Sequence, residues 1–118
     1  MAKYSDILLT SDYDRTLTAP DATIPEKNLE AIRYFMENGG AFTVNTGRTV
    51  ASAACFVDKV PVNAPLLLYN GSAAYNPDTK DFLFVHEIQM DWRETRQRIL
   101  DKFPTIFSLN DFSIKTFL

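Results

Sequence analysis

The stretch that decides the fold is ILLTSDYDRT, which occupies residues 7–16 of the 118-residue chain. Its first part, residues 7–10, is a short apolar run, and such a run is typical of a strand buried in a parallel sheet. Polar residues follow at once, including the carboxylates of Asp12 and Asp14. The stretch therefore predicts a core strand that delivers polar side chains at its carboxyl end.

Working outward from this strand, the next 55 or so residues alternate helical and extended patterns. Glycine at the end of the first helical pattern supports its boundary, since glycine accepts the left-handed terminus of a helix without strain. The predicted elements are a helix opened by Pro25 and ended by residues 38–40, a strand over 41–44, a helix over 49–56 and a strand over 65–69. This order predicts an α/β fold with a Rossmann-like parallel sheet, whose ligands gather at the carboxyl ends of its strands.

The pattern changes after Gly71. Residues 72–75 and 82–85 flank the turn residues 76–78 and predict an antiparallel hairpin, which a helix over about 91–103 follows. Residues 105–118 have extended character and end in an apolar context. We expect residues 1–71 to be part of one domain and residues 72–118 to be the start of an α+β domain that is incomplete here.

The composition narrows the class of protein. A net charge of -3 excludes a strongly basic nucleic-acid binder, and 46% hydrophobic with 23% charged residues is typical of a folded domain. No apolar run approaches the roughly 20 residues of a membrane-spanning helix, so we expect no membrane partner. The lone Cys55 and the lack of a signal peptide pattern predict a cytoplasmic protein.

Asp12 and Asp14 lie two residues apart at the predicted end of a strand, so extended geometry would project both side chains to the same side. Two crowded carboxylates either split their pKa values, which yields one nucleophile and one proton carrier, or bind a hard cation such as Mg²⁺. The alternative is an ordinary acidic loop. For the bare pair, the sequence leaves these interpretations open.

Thr46, Gly47 and Arg48 follow the second strand as Asp12 follows the first. A threonine hydroxyl can donate to a phosphate oxygen, glycine lets the backbone approach an anion, and the amides of the next helix add positive potential. The alternative is that Thr46 and Thr49 cap that helix and that Gly47 turns the chain. Asn70 and Gly71, after the third strand, are by themselves a weak turn signal.

Together these segments resemble the haloacid dehalogenase (HAD) superfamily of phosphotransferases. SDYDRTLT, residues 11–18, is similar to the first motif of that family, and FTVNTGRT, residues 42–49, is similar to the second. With the intervening IPEKNLEAIRYFMENGG, residues 24–40, the arrangement resembles the Cof-like sugar-phosphatase branch, in which a large cap domain is inserted after the third strand. YNGSAAYNPDTKDFLF, residues 69–84, looks like the beginning of that cap.

The resemblance implies a role for each matching residue. Asp12 would be the nucleophile that forms an aspartyl phosphate, and Asp14 would protonate the leaving oxygen and later activate water. The Asp12 side chain and the Asp14 backbone carbonyl would hold Mg²⁺. Thr46, with Gly47 and Arg48, would bind the phosphoryl group. The residues expected near the substrate are Arg15, Thr16, Asn70 and Gly71.

The sequence departs from the family pattern in two ways. Arg15 stands where the family usually has glycine, and the resemblance does not say whether its side chain meets substrate or solvent. The third motif, a lysine, and the fourth, an acidic pair, normally come after the cap and are missing. Lys102, Lys115 and residues 110–111 do not have the sequence context that would let them substitute.

The resemblance therefore implies a Mg²⁺-dependent phosphatase of small phosphorylated metabolites, with sugar phosphates the expected class. We expect this chain to be an amino-terminal fragment that is inactive alone and that self-associates or joins a missing carboxyl-terminal segment. The alternatives are a non-catalytic truncated product, a phosphate-binding module without turnover, and a phosphomutase, which a requirement for a bisphosphorylated activator would mark.

Overall fold

The first predicted strand forms and pairs with the second. In the computed structural model, which describes residues 2–87, 89 and 91–104, β1 (Leu8–Ser11) lies parallel to β2 (Ala41–Val44). Helix α1 (Glu26–Glu37) connects the two strands as the predicted crossover. Ser11 pairs with Val44, so the chain leaves both strands at the same edge of the sheet. This edge is where the polar motifs begin.

The third strand, β3 (Leu66–Leu68), follows helix α2 (Val50–Val57) and has two different neighbours. A single parallel bridge joins Leu67 to Asn45 beyond the end of β2. The longer pairing of β3 is antiparallel, because the chain turns back immediately after it. The predicted α/β fold is confirmed, but most of the pairing of β3 is with the hairpin rather than with the parallel strands.

The hairpin consists of β4 (Ala73–Asn76) and β5 (Asp81–Val85) in antiparallel pairing. It belongs with the preceding strands to a compact unit of residues 1–85, and residues 86–118 form a second unit. The predicted division into domains after Gly71 stays a prediction.

The second unit contains helix α3 (Trp92–Lys102), within one residue of its predicted bounds at either end. Its amino terminus is capped by Asp91, whose Oδ1 accepts a hydrogen bond of 3.0 Å from the Arg93 N–H. The predicted extended segment, residues 105–118, lies outside the described residues.

The core of the first unit consists of buried apolar side chains. Its largest fully buried apolar side chains come from β2, α2 and β3: Phe42, Val44, Phe56, Leu66 and Leu68. At the start of β2, the Asn63 side chain accepts from the Phe42 N–H at 2.7 Å and donates to the Gly40 carbonyl at 3.0 Å. These two bonds fix β2, and with it the position of the second motif.

Apolar side chains are exposed along β1, which pairs with β2. Ile7, Leu8 and Leu9, in and just before β1, are each about half exposed. An apolar strand with an open edge is a surface on which another strand can pair. No helix among the described residues is both long and apolar enough to cross a membrane.

Candidate active site at the ends of β1 and β2

The chain leaves β1 through a tight five-residue turn, Tyr13–Leu17. The Thr18 N–H closes it by donating to the Tyr13 carbonyl at 3.1 Å. The buried Thr18 hydroxyl accepts from the Arg15 N–H at 2.9 Å and donates to the same Tyr13 carbonyl at 3.3 Å. The turn therefore has a fixed backbone, and Asp12 and Asp14 are held on it.

Arg15 adopts a left-handed backbone conformation within this turn, with φ of 60°. This geometry gives a physical reason for glycine at the corresponding family position, since only glycine adopts it without strain. The Arg15 side chain is exposed.

Replacing Arg15 with glycine is expected to raise the free energy of unfolding by about 0.5 kcal/mol, because the strain relieved exceeds the added chain entropy. Urea denaturation of the purified chain measures this change. The control is Arg33→Gly in the interior of α1, which should lower the same free energy by about 1 kcal/mol. A loss of stability in Arg15→Gly would contradict the strain argument.

Asp12 immediately precedes the turn and its side chain is exposed. Its Oδ2 accepts a hydrogen bond of 3.1 Å from the Thr16 hydroxyl. Thr16, which the resemblance places near the substrate, therefore orients the Asp12 carboxylate in this structure. The other carboxylate oxygen has no hydrogen bond from the described residues and is available to a ligand.

Asp14 forms a two-pronged ion pair with Arg48, which lies 34 positions later in the chain. Arg48 Nη2 donates to Oδ1 at 2.7 Å, and Nε donates to Oδ2 at 2.8 Å. The hydrogen bonds from Arg48 lower the pKa of the Asp14 carboxyl below its usual value. The structure thus brings two predicted site residues together, but it places the Arg48 guanidinium on a carboxylate.

The linkage between this ion pair and stability has a definite sign. Because the pKa of Asp14 is lowered in the folded state, its contribution is present above the unfolded pKa, about 3.9, and is lost as the pH falls through the folded pKa. The Asp14 side chain is 52% exposed, so the contribution is small.

We expect Asp14→Asn to lower the free energy of unfolding by about 0.5 kcal/mol at pH 7. The stabilising ion pair requires ionised Asp14. The difference in the free energy of unfolding between the variant and the unmodified chain should therefore become smaller as the pH falls below about 4. Urea denaturation of both proteins at pH 7 and at several lower pH values, down to about 3, measures this difference. A difference that does not change over this range would contradict the assignment.

Thr46 and Gly47 sit where the chain leaves β2. Thr46 is buried, and its hydroxyl accepts from the Arg48 N–H at 3.2 Å while keeping its own proton to donate. Thr49 caps α2 by accepting from the Ser52 N–H at 3.1 Å. The helix-capping interpretation is thus correct for Thr49, while the Thr46 hydroxyl proton has no acceptor among the described residues.

Asn70 and Gly71 belong to a turn that folds back onto this segment. Tyr69, Asn70 and Gly71 all have positive φ, between 52° and 89°. The Asn70 N–H donates to the Thr46 carbonyl at 3.1 Å, and a Cβ on Gly47 would lie 2.9 Å from the Asn70 side-chain oxygen. Glycine at position 47 therefore leaves room for the Asn70 side chain. The sequence indicates the turn at Asn70 only weakly.

Sequence reasoning missed Tyr13 and Ser52. Tyr13 is buried, with its ring stacked on Phe56 at a centroid distance of 4.1 Å and with the Arg48 guanidinium carbon 5.3 Å from the ring centroid. Ser52 contacts the same guanidinium. The spacing of four residues between Arg48 and Ser52 is a signal that could have identified Ser52, since such residues are neighbours near a helix.

The oxygen atoms of this turn suit a hard cation. The exposed Asp12 carboxylate and the Asp14 backbone carbonyl would supply two of the roughly six oxygen ligands that Mg²⁺ takes. Among the described residues, no three or more His, Cys, Asp or Glu side chains form a metal-binding group. The residues present fit Mg²⁺ as part of a ligand set that water and substrate oxygens would complete.

Comparisons with known proteins identify the family and the fold. The family model of haloacid dehalogenase-like hydrolases matches residues 9–114. No curated protein sequence matches the chain significantly.

Several solved structures share the fold. A haloacid dehalogenase-like hydrolase from Bacteroides thetaiotaomicron matches with a TM-score of 0.66 and 20% identity, over 85% of this chain and 38% of its own. A HAD/COF-like hydrolase from Plasmodium vivax gives 0.63 and 28%, over 85% and 38%. A HAD subclass IIB sugar phosphatase gives 0.63 and 18%, over 81% and 37%. The chain thus spans less than two-fifths of the length of these proteins.

The family match covers both motifs, all of β1 except Leu8, β2 and the hairpin, and the structural matches share the α/β fold. The chain belongs to the haloacid dehalogenase-like hydrolase family.

Proposed function

We propose that this chain carries the nucleophile and the phosphate-binding hydroxyl of a Mg²⁺-dependent phosphatase that acts on small phosphorylated metabolites, such as sugar phosphates. The observation that carries the proposal is the convergence of two motifs at one sheet edge. Ser11 pairs with Val44, and the Asn45 N–H donates to the Ser11 carbonyl at 2.9 Å. Asp12 and Thr46 each follow within two residues of this contact.

The chemistry assigned to the chain's own residues follows from their contacts. The exposed Asp12 carboxylate attacks phosphorus and forms an aspartyl phosphate, with Thr16 orienting it through one oxygen. The Thr46 hydroxyl donates to the transferring phosphoryl group, and Asp14 exchanges protons with the leaving oxygen and with water. Mg²⁺, when bound by Asp12 and the Asp14 carbonyl, offsets the repulsion between carboxylate and phosphate.

Two further parts of the proposal concern the whole protein. The half-exposed Ile7, Leu8 and Leu9 support association of this chain with a carboxyl-terminal segment or with a second copy. The free Cys55 supports action in the cytoplasm. The sugar-phosphate class is supported by the name of the HAD subclass IIB sugar phosphatase, which shares the fold.

The test is hydrolysis of p-nitrophenyl phosphate and of a panel of sugar phosphates, with Mg²⁺ and with a chelator. We expect the 118-residue chain alone to show no useful rate, because the lysine and the acidic pair of the later family motifs are not in it. The protein encoded by the whole reading frame should hydrolyse members of this panel in the presence of Mg²⁺. Failure of that longer protein to hydrolyse any phosphate ester would contradict the proposed function.

The Asp14–Arg48 ion pair favours a second candidate, a phosphate-binding module without turnover. A carboxylate that Arg48 keeps ionised is a poor proton donor to a leaving group. Calorimetric titration with inorganic phosphate, combined with the hydrolysis assay above, distinguishes the two candidates, since only the second predicts phosphate binding by the whole protein without hydrolysis.

A further inference from the structure

The Arg48 side chain makes more contacts than a surface arginine needs for one ion pair. Two of its nitrogens hold Asp14, and the third, Nη1, donates to the Ser52 hydroxyl at 3.0 Å and to the Ser52 carbonyl at 3.3 Å. Nη1 also lies 3.5 Å from the Cys55 sulfur. All three nitrogens therefore have partners.

The ring of Tyr13 adds a further constraint. The guanidinium carbon lies 5.3 Å from its centroid, within the range of a cation–π contact. That ring is itself stacked on the fully buried Phe56. The guanidinium is consequently held by α2 along one edge and by Tyr13 at one face, and its remaining edge faces Asp14.

An isolated exposed ion pair would contribute little, because both long side chains lose entropy when they meet. Here the Arg48 side chain is 29% exposed, and the contacts with Ser52 and Tyr13 fix it irrespective of Asp14. A guanidinium already fixed in place can orient a carboxylate at a lower entropic cost. These contacts favour a role for Arg48 in orienting the Asp14 carboxylate over a role in binding substrate phosphate.

We propose that Ser52 and Arg48 are positioning residues: Ser52 fixes the guanidinium of Arg48, and Arg48 aims the Asp14 carboxylate at the reacting groups. The inference rests on the proposed function, in the step where the Asp14 carboxylate accepts a proton from the water that hydrolyses the aspartyl phosphate. It gives a role to Ser52, and it assigns Arg48 to Asp14 instead of to the phosphoryl group.

The first experiment needs no turnover and uses the ¹⁵N-labelled 118-residue chain. The Nε–H signal of Arg48, assigned by its loss in Arg48→Lys, should exchange slowly with solvent. Ser52→Ala should speed this exchange about fivefold, the effect of one lost hydrogen bond, and Ser52→Thr should restore it. Alanine is a strong helix former, so α2 should persist, as circular dichroism will show. Ser5→Ala, at an exposed serine outside this network, is the control and should change nothing.

The second experiment measures kcat and KM of the whole enzyme on p-nitrophenyl phosphate. Ser52→Ala should lower kcat about fivefold, corresponding to that same lost hydrogen bond, while KM stays within about twofold and Ser52→Thr restores kcat. A raised KM with unchanged kcat would overturn the proposal, since it would place Arg48 on the substrate. Unchanged Nε–H exchange or unchanged kcat in Ser52→Ala would also overturn it. Absence of hydrolysis in the unmodified protein would overturn the proposed function and, with it, the role of Ser52 in positioning Asp14 for catalysis, whatever the exchange rates show.

Discussion

Asp12→Asn is expected to reduce phosphate-ester hydrolysis by the whole enzyme at least about 10⁴-fold, because the amide is a poor nucleophile. The fold should persist, since the amide oxygen of asparagine can still accept the hydrogen bond from Thr16. The measurements are kcat on p-nitrophenyl phosphate and the circular dichroism spectrum.

Asp21→Asn is a matched control for this substitution. Asp21 is also an exposed aspartate that accepts a hydrogen bond from a nearby threonine hydroxyl, that of Thr23, at 2.6 Å. It lies outside the two motifs, so its replacement should leave kcat within about twofold. If Asp12→Asn retained activity comparable to this control, Asp12 could not be the nucleophile.

Phe56→Ala is expected to lower the free energy of unfolding by about 3–5 kcal/mol, the usual cost of a cavity left by a buried aromatic ring. The Phe56 side chain is 0% exposed and stacks on Tyr13. Urea denaturation of the purified chain measures the loss.

Phe82→Ala provides the comparison on β5. Phe82 is 46% exposed and contacts Tyr75 edge-on at a centroid distance of 5.1 Å. Its replacement should cost less than about 1.5 kcal/mol. Equal losses in the two variants would show that Phe56 does not occupy the core position described here.

Much of the fold follows from local patterns in the sequence. The predicted strand over residues 41–44 coincides with β2, and glycine marks its start, because Gly39 has φ of 92° and a Cβ on Gly40 would collide with the Phe35 ring. Helix α2 begins one residue after its predicted start and ends one residue after its predicted end. Short-range propensity and turn chemistry are sufficient for such elements.

The pairing of β3 required information that periodicity does not contain. A run of only three apolar residues, such as Leu66–Leu68, is compatible with a fully buried strand in either kind of sheet. The choice depends on the turn at Tyr69–Gly71, whose three left-handed residues return the chain along β3. Asn70 and Gly71 favour that conformation by their residue types, whereas Tyr69 does not.

The sequence predicts that the candidate site residues gather at one sheet edge, but it does not predict the contacts among their side chains. The positions of Asp12, Asp14, Thr46 and Arg48 after two strands place them at one sheet edge, which the structure bears out in the register of Ser11 with Val44. Whether Arg48 faces a phosphate or Asp14 depends on side-chain rotamers. Those rotamers are set by Ser52 and Tyr13, which lie outside any motif recognised in the sequence.

The separation of 34 residues between Asp14 and Arg48 has a consequence for folding kinetics. Pairing β1 with β2 already closes the long loop between them, so the ion pair adds little further cost in loop entropy, and we expect it to form after that pairing. A contact made after the rate-limiting step affects mainly the unfolding rate. Loss of the pair should therefore shorten the lifetime of the folded state and leave the refolding rate nearly unchanged.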